Sequence, residues 1–381
     1  MTKEEYGLYG YLVSIISSFA LFLGFGLYVP QIKMYHDLKG EKEKGSFLFT
    51  LNISLVAILL VVFSVLYFFN LDILVISFLF KQDINYLAYR VYILGAIIVA
   101  IIALMLYSYF LTTENLRNVK LYNILKLVFV NSTVLLILYF FKTDAVLTRL
   151  KYALYIEAIL FFAFGYFFVR KMVPKFRIDL LRRAFKIGIP IMLGSFVGML
   201  YSLSDRFFLE KYDSFQVIGV YNLGLALSSI IPLSMTSFQS IYAPIFFKEK
   251  DHKLNLKRVN KIALLLMGIY TLISVGIVIL TYFLISFGII NKSYTTVTFL
   301  LPIILLGSIF YALSQLYQNF MAHFEVTHIS LIFHIISSFI AVILCFLLVP
   351  TLSLYGAAFA LCIAAASSAI MHFAYVSKKI K

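Results

Sequence analysis

The apolar runs of this chain are continuous over roughly 20 residues, which is the length that an α-helix needs to cross a bilayer. Strands of outer-membrane barrels instead alternate apolar and polar residues over about 10 positions. Only 13% of the 381 residues are charged, while 62% are apolar. Soluble domains carry about 25% charged residues, so this chain has too few charges to cover a water-soluble surface. We therefore predict an all-α polytopic membrane helical bundle.

We predict about eleven membrane-spanning helices from the lengths of these runs. A further apolar stretch, 70–80, is too short to span, and we expect it to lie re-entrant or at the membrane interface. The predicted spans are approximately 6–29, 47–69, 90–111, 120–141, 151–169, 187–209, 215–240, 260–286, 295–318, 328–349 and 354–376.

The distribution of Lys and Arg predicts the orientation. One set of alternating loops holds 22 of the 32 basic residues and the other set holds 9. Cytoplasmic loops carry the excess of Lys and Arg, so the first set, which includes the C-terminus, is predicted to be cytoplasmic. The same rule accounts for the net charge of +15, and nucleic acid is not predicted as a partner.

A basic segment in the middle of the chain predicts two halves. Within 173–186, Phe176, Leu180, Leu181 and Phe185 fall roughly on one helical face and Lys and Arg fill the rest. This pattern is typical of an amphipathic helix on the inner leaflet. We therefore predict an N-terminal lobe at 1–172, a cytoplasmic linker at 173–186 and a C-terminal lobe at 187–381.

An internal repeat supports the two halves. The motif Gly7-Leu-Tyr recurs as Gly219-Val-Tyr, and Tyr28-Val-Pro recurs as Tyr242-Ala-Pro. Both copies begin a helix on the same side, so the repeats are predicted to be parallel. The second copy is preceded by the predicted span 187–209, whereas nothing precedes the first. We therefore expect five helices in the first lobe, six in the second, and a missing first helix upstream of residue 1.

Motifs for catalysis or metal binding are not found in the sequence. The stretch 288–293 lacks the second glycine of a phosphate-binding loop. His323, His328 and His334 are not spaced to share one helical face, and Cys345 and Cys362 lie inside apolar runs, typical of small buried residues. We predict no cofactor, no metal and no enzymatic activity.

Charged residues at membrane depth are the candidate site residues, because a charge there is costly and is retained for a purpose. They are Arg90, Lys126, Glu157, Asp205 and Arg206. Basic side chains could instead extend to the head groups, an alternative that stays open for Arg90, Arg206 and Lys126. Glu157 is too short to do so. A direct pair between Lys126 and Glu157 requires both side chains to be stretched, so a shared watery cavity fits the predicted depths more easily.

Several stretches, in order along nearly the whole chain, resemble the polysaccharide flippases of the O-antigen type. They are Glu4–Tyr9, Phe185–Pro190, Ser204–Leu209, Ile218–Tyr221, Leu348–Pro350 and Tyr355–Ala358. The resemblance implies two six-helix lobes, as in the multidrug and toxin extruders, around a cavity that alternates its access. Asp205 and Arg206 match the family pattern, whereas the other three residues are proposed from depth alone.

The family resemblance implies a function as well. It implies that undecaprenyl-diphosphate-linked oligosaccharide repeat units are moved from the cytoplasmic to the outer face of a bacterial cell membrane. The implied partners are this lipid-linked substrate, membrane lipid and other polysaccharide-assembly membrane proteins. Three alternatives remain: a cation-coupled multidrug or metabolite antiporter of the same fold, a membrane-bound repeat-unit polymerase, and a scaffold that transports nothing. A polymerase should carry a large charged outer loop, which this sequence lacks.

Overall fold

The computed structural model describes residues 1–141, 144–249 and 251–380. These residues form thirteen α-helices and one short 3-10 helix at Lys292–Tyr294, with no strand among them. The helices are α1 Lys3–Leu23, α2 Tyr28–Asp37, α3 Glu41–Phe68, α4 Leu71–Leu79, α5 Tyr86–Thr112, α6 Leu116–Phe141, α7 Ala145–Val169, α8 Ile178–Tyr212, α9 Phe215–Ser228, α10 Ile230–Lys248, α11 His252–Ser286, α12 Thr296–His323 and α13 Thr327–Ile380.

The predicted all-α membrane bundle is confirmed. Ten helical stretches of the described residues are long and apolar enough to cross a membrane. Two of them combine neighbouring helices, α1 with α2 and α9 with α10. The last, α13, is 54 residues long and contains one residue with non-helical dihedral angles, Ser353 (φ 53°, ψ −131°). Counting the two arms of α13 separately gives the eleven segments that the sequence predicts.

The two arms of α13 form an antiparallel hairpin. The Ser330 hydroxyl hydrogen-bonds the His372 ring at 2.9 Å, and the hydroxyls of Ser337 and Ser367 are 3.3 Å apart. At the closed end, a Cβ on Gly356 would lie 2.4 Å from the Leu348 carbonyl oxygen. A glycine is therefore required where the arms approach most closely.

Of the two segments predicted outside the spans, the first has the expected short length and the second differs in form. The stretch 70–80 is a helix of nine residues, α4, which is too short to span. The predicted linker 173–186 is not a separate helix, because its residues from Ile178 onward form the first turns of α8, which continues without a break to Tyr212. The assignment of 173–186 as the boundary between lobes stays a prediction.

The chain divides by its contacts into two compact units. Unit 1 contains Met1 and 11–199, and unit 2 contains 2–10 together with 200–381. Helices α1 and α8 thus contribute residues to both. In unit 1, α5 buries Ile93, Ile97 and Ile101 at four-residue spacing, which is the periodicity of one helical face. In unit 2, α11 and α12 contribute most of one buried apolar cluster.

The two copies of the repeat meet inside unit 2. A Cβ on Gly7 would lie 1.8 Å from the Phe215 carbonyl oxygen, and a Cβ on Gly219 would lie 2.2 Å from the Lys3 carbonyl oxygen. Positions 3 and 215 are separated by the same 212 residues as 7 and 219, so the contact is reciprocal between equivalent positions. Small residues allow this backbone-to-backbone approach of membrane helices.

Gly7→Ala should lower the thermal stability of the detergent-solubilised protein, because the new methyl group has no space beside Phe215. Overpacking of this kind costs about 1–3 kcal/mol. Gly268→Ala is the matched control: this helical glycine has nothing within 4 Å of the added Cβ, so its melting temperature should stay the same or rise. Equal melting temperatures for both variants would contradict the close contact at Gly7.

Candidate functional site

Lys126 and Glu157 form a direct ion pair between Nζ and Oε1, joining α6 to α7. The sequence left a direct pair open and favoured a shared watery cavity, and the structure shows the direct pair. The two helices begin at 116 and 145, which is four and six residues before the predicted spans. Both charged residues consequently lie near the middle of their helices, at a similar depth, and neither side chain has to bridge a long gap.

Lys126 is accessible although it lies in the middle of a membrane-spanning helix. Its side chain is 43% exposed, whereas that of Glu157 is 15% exposed. One turn earlier on α6, the buried Tyr122 hydroxyl has no hydrogen-bond partner among the described residues, and its ring packs against Phe164 at 5.6 Å. A buried polar atom without a partner calls for an explanation. Tyr122 was not predicted as a site residue, since a tyrosine in an apolar run carries no sequence signal.

Arg90 is held by several partners at the start of α5. Its Nε lies 2.6 Å and its Nη2 2.8 Å from the two carboxylate oxygens of Asp72, and Nη2 also donates to the Tyr67 carbonyl oxygen at 2.7 Å. The guanidinium stacks on the Tyr67 ring. Arg90 therefore does not extend freely to the head groups. Asp72 was missed by the sequence reasoning, although it is the only acid in the apolar stretch 70–80.

Asp72 accepts hydrogen bonds from two neighbouring side chains, Arg90 and Tyr86. Burial raises the pKa of a carboxyl group, but hydrogen bonds from Arg90 and from the Tyr86 hydroxyl hold the pKa of Asp72 below its ordinary value. The carboxylate thus accepts two bonds from a guanidinium and one from a phenol. Such bidentate, charge-assisted bonds are among the strongest in proteins, and they fix α4 against α5.

Asp205 and Arg206 lie in a network between α8 and α9 within unit 2. The buried Asp205 carboxylate accepts a hydrogen bond from the Tyr221 hydroxyl at 2.9 Å, and the Arg206 Nη1 lies 3.6 Å from it. Arg206 Nε donates to Asn222 Oδ1 at 2.8 Å, and the Asn222 amide donates to the Gly7 carbonyl oxygen at 3.4 Å. The network therefore reaches the crossing of the two repeats.

The five predicted residues lie in three separate ion pairs: Arg90 with Asp72, Lys126 with Glu157, and Asp205 with Arg206. Within the described parts of the chain, no group of three or more His, Cys, Asp or Glu side chains could hold a metal. His323 packs against His252 in unit 2, whereas His334 packs against His372 in the α13 hairpin.

Two apolar cavities lie inside the units. One, of about 200 Å³ in unit 1, is lined by residues of α1, α3, α4 and α5, and Asp72 and Tyr86 are its polar members. The other, of about 170 Å³ in unit 2, is lined mostly by apolar side chains, together with Ser308 and the three tyrosines Tyr201, Tyr221 and Tyr311. Since Tyr221 also holds Asp205, the second cavity adjoins the buried carboxylate network.

Comparison with known proteins gives a family and a fold. The family model of the polysaccharide biosynthesis proteins matches residues 1–250. No curated protein matches the chain in sequence. The structure is similar to an inward-facing multidrug resistance MATE family transporter of the MOP superfamily (TM-score 0.76, 14% identity, covering 100% of this chain and 95% of that chain). It is also similar to the lipid II flippase MurJ in an inward closed conformation (TM-score 0.78, 18% identity, 98% and 81%).

Arg90→Ala should destabilise the protein, because it leaves the buried Asp72 carboxyl group without its cation. Removing one partner of an ion pair is destabilising because the remaining group loses its compensation. Adding Asp72→Asn to the same chain should restore part of the lost stability, since the remaining group is then neutral. The measurement is the melting temperature of the purified variants in detergent. A double variant less stable than Arg90→Ala alone would contradict this assignment.

Proposed function

The chain belongs to the polysaccharide biosynthesis protein family, and on this premise we propose that it flips undecaprenyl-diphosphate-linked oligosaccharide repeat units from the cytoplasmic to the outer face of the membrane. It is a multi-pass membrane protein with the fold of MATE transporters and of the MurJ flippase. The proposal assigns this chain a lipid-linked sugar as substrate and the bacterial cell membrane as its location, with the C-terminus in the cytoplasm.

The observation that supports the proposal most is the accessible ion pair of Lys126 and Glu157. A bare ammonium group in the middle of a bilayer is costly, and pairing with Glu157 removes most of that cost in the resting protein. The ammonium has three N–H donors, and among the described residues it makes a single hydrogen bond, to Glu157 Oε1. An incoming diphosphate can therefore bind Lys126 and replace Glu157 as its principal partner.

The remaining predicted residues have different proposed roles. Arg90 and Arg206 already make several bonds, to Asp72 and Tyr67 and to Asn222 and Ser202 respectively. We propose that they, with Asp205, act on the substrate mainly by fixing the helices that surround its path. Their positive charge would still offset part of the diphosphate charge over longer distances.

The membrane potential can drive this transport without ATP. Moving one charge across the membrane gains about 2.3 kcal/mol per 100 mV, and outward movement of an anion is favoured when the inside is negative. A diphosphate dianion that stays uncompensated would gain about twice that amount. Glu157, once released by Lys126, is available to bind a proton or Na⁺, which would supply a second coupling route.

A cation-coupled multidrug or metabolite antiporter is the second candidate function. The cavity in unit 2 favours it, because three tyrosines contribute to a mostly apolar wall, and tyrosine faces attract organic cations. Drug susceptibility of cells that produce the protein distinguishes the two candidates. An antiporter should raise resistance to organic cations, and a flippase should leave it unchanged.

Lys126→Gln and Glu157→Gln should each lower the flipping rate by about tenfold, equivalent to ~1.4 kcal/mol of lost stabilisation. The assay reconstitutes the protein in vesicles with an undecaprenyl-diphosphate-linked oligosaccharide and measures how fast an added glycosidase gains access to the sugar. Lys120→Gln is the matched control, because Lys120 is an exposed lysine on the same helix, six residues earlier. It should flip at the wild-type rate.

The charge reversal Lys126→Glu with Glu157→Lys tests the mechanism further. It preserves a pair and should fold, but the ammonium then lies on α7 and the diphosphate site is displaced. If Lys126→Gln is produced at a normal level and flips the substrate at the wild-type rate, Lys126 is not a substrate contact. If the wild-type protein itself does not flip the lipid-linked oligosaccharide, the proposed substrate is wrong.

A further inference from the structure

Helix α11 in unit 2 has two distinct faces along its whole length. Buried apolar residues repeat at three- to seven-residue intervals and pack into the core of unit 2. They are Val259, Ala263, Leu266, Tyr270 and Ile277. The opposite face carries exposed apolar side chains, which are Leu264, Leu272, Val275, Ile279 and Tyr282. With 3.6 residues per turn, the buried set spans about 60° of the helix circumference and the exposed set about 80° on the opposite side, so the second face is an apolar surface that the described chain leaves open.

Three lysines begin the exposed face. Lys253, Lys257 and Lys261 are spaced by four residues, fall within about 80° of one another around the helix, and are all exposed. None of their ammonium groups forms an ion pair with another described residue. The adjacent Arg258 differs, because its Nη1 lies 2.6 Å from Glu249 Oε2. The three lysines therefore form a positively charged stripe, called the lysine stripe below, that has no counter-charges among the described residues.

The spacing along α11 matches the thickness of a bilayer. Lys261 and Tyr282 are 21 residues apart, which corresponds to about 30 Å at a rise of 1.5 Å per residue, and the hydrocarbon core is about 30 Å thick. Between them the exposed face is apolar. Lysines at one end and Tyr282 at the other are side chains that are typical of the two membrane interfaces.

We propose that this face of α11 is a binding site for an anionic phospholipid. The lysine stripe binds the phosphate and any further head-group anion, and the acyl chains lie along Leu264, Leu272 and Val275. Charge complementarity selects this occupant over a zwitterionic lipid, since three unpaired ammonium groups attract net negative charge. An apolar partner helix would cover the apolar part of the exposed face equally well. It would, however, leave the lysines without counter-charges.

The chain contains no tryptophan, so one introduced tryptophan reports on its surroundings alone. Leu264→Trp places the reporter 66% exposed, one turn from Lys261. Quenching of its fluorescence is measured in vesicles that mix phosphatidylcholine with brominated phosphatidylglycerol, and again with brominated phosphatidylcholine. The ratio of the two gives the relative affinity of the site for the anionic lipid. Tyr282→Trp reports on the opposite end of the same face.

At Leu264→Trp, phosphatidylglycerol should bind about fivefold more tightly than phosphatidylcholine, or better, because one basic residue near a membrane surface contributes about that factor. The preference should disappear in 1 M salt and should be absent at Tyr282→Trp. Lys253→Gln with Lys257→Gln and Lys261→Gln should bring the ratio to about one. Arg258→Gln should leave it unchanged, and replacing the three lysines by arginine should preserve it.

If the triple glutamine variant does not fold, the single variant Lys257→Gln still tests the proposal. It removes one charge and should reduce, but not abolish, the preference for phosphatidylglycerol. A preference that survives neutralisation of the lysines would overturn the proposal. So would equal ratios at both ends of the face. A tryptophan at 264 that neither brominated lipid quenches would show a protein surface, such as a second copy of this chain, in place of lipid. None of these measurements requires transport, so they stand apart from the proposed substrate.

Discussion

The cost of an unpaired charge in hydrocarbon is the constraint on which the rest of this structure depends. The bilayer offers no water to solvate a carboxylate, so each acid at depth must find a partner within the protein. Asp72 is paired with Arg90 and Glu157 with Lys126, and Asp205 contacts Tyr221 and Arg206. These pairs tie α4 to α5, α6 to α7 and α8 to α9, so the few charges of the chain fix neighbouring helices as well as marking the candidate site.

Close packing of backbones stabilises the contacts between membrane helices, where burial of apolar side chains contributes little. Lipid tails are as apolar as the side chains they surround, so helices in a membrane gain little from burial and much from fit. Gly7 and Gly219 meet through backbone atoms, and Gly356 does the same where the α13 hairpin closes. The first of these contacts joins equivalent positions of the repeat, so a repeat visible as two short sequence motifs is also a reciprocal contact in three dimensions.

Sequence reasoning located the membrane helices well and the pairing of charges poorly, for a physical reason. Twenty-residue apolar runs are set by bilayer thickness and can be read directly, whereas pairing depends on helix ends that lie outside those runs. Because α6 and α7 extend beyond their apolar parts, Lys126 and Glu157 are level and in contact rather than separated. Asp72 was overlooked because its partner, Arg90, is 18 residues away and its own helix does not span. The unbroken course of α8 from Ile178 was hidden because its first turns are basic while the rest is apolar.

The two ion pairs of unit 1 differ in how many bonds hold the basic side chain and in how exposed that side chain is. Arg90 donates hydrogen bonds to both carboxylate oxygens of Asp72 through two nitrogens of its rigid, planar guanidinium group. An incoming anion would have to break both bonds and would leave the buried Asp72 without a cation. Lys126 makes one bond through a compact ammonium on a flexible stem, and its side chain is 43% exposed. An ammonium can turn from one anion to another with little rearrangement. Of the two pairs, the lysine pair is therefore the one that an incoming anion would exchange with less rearrangement, which is why the proposed substrate contact is assigned to Lys126.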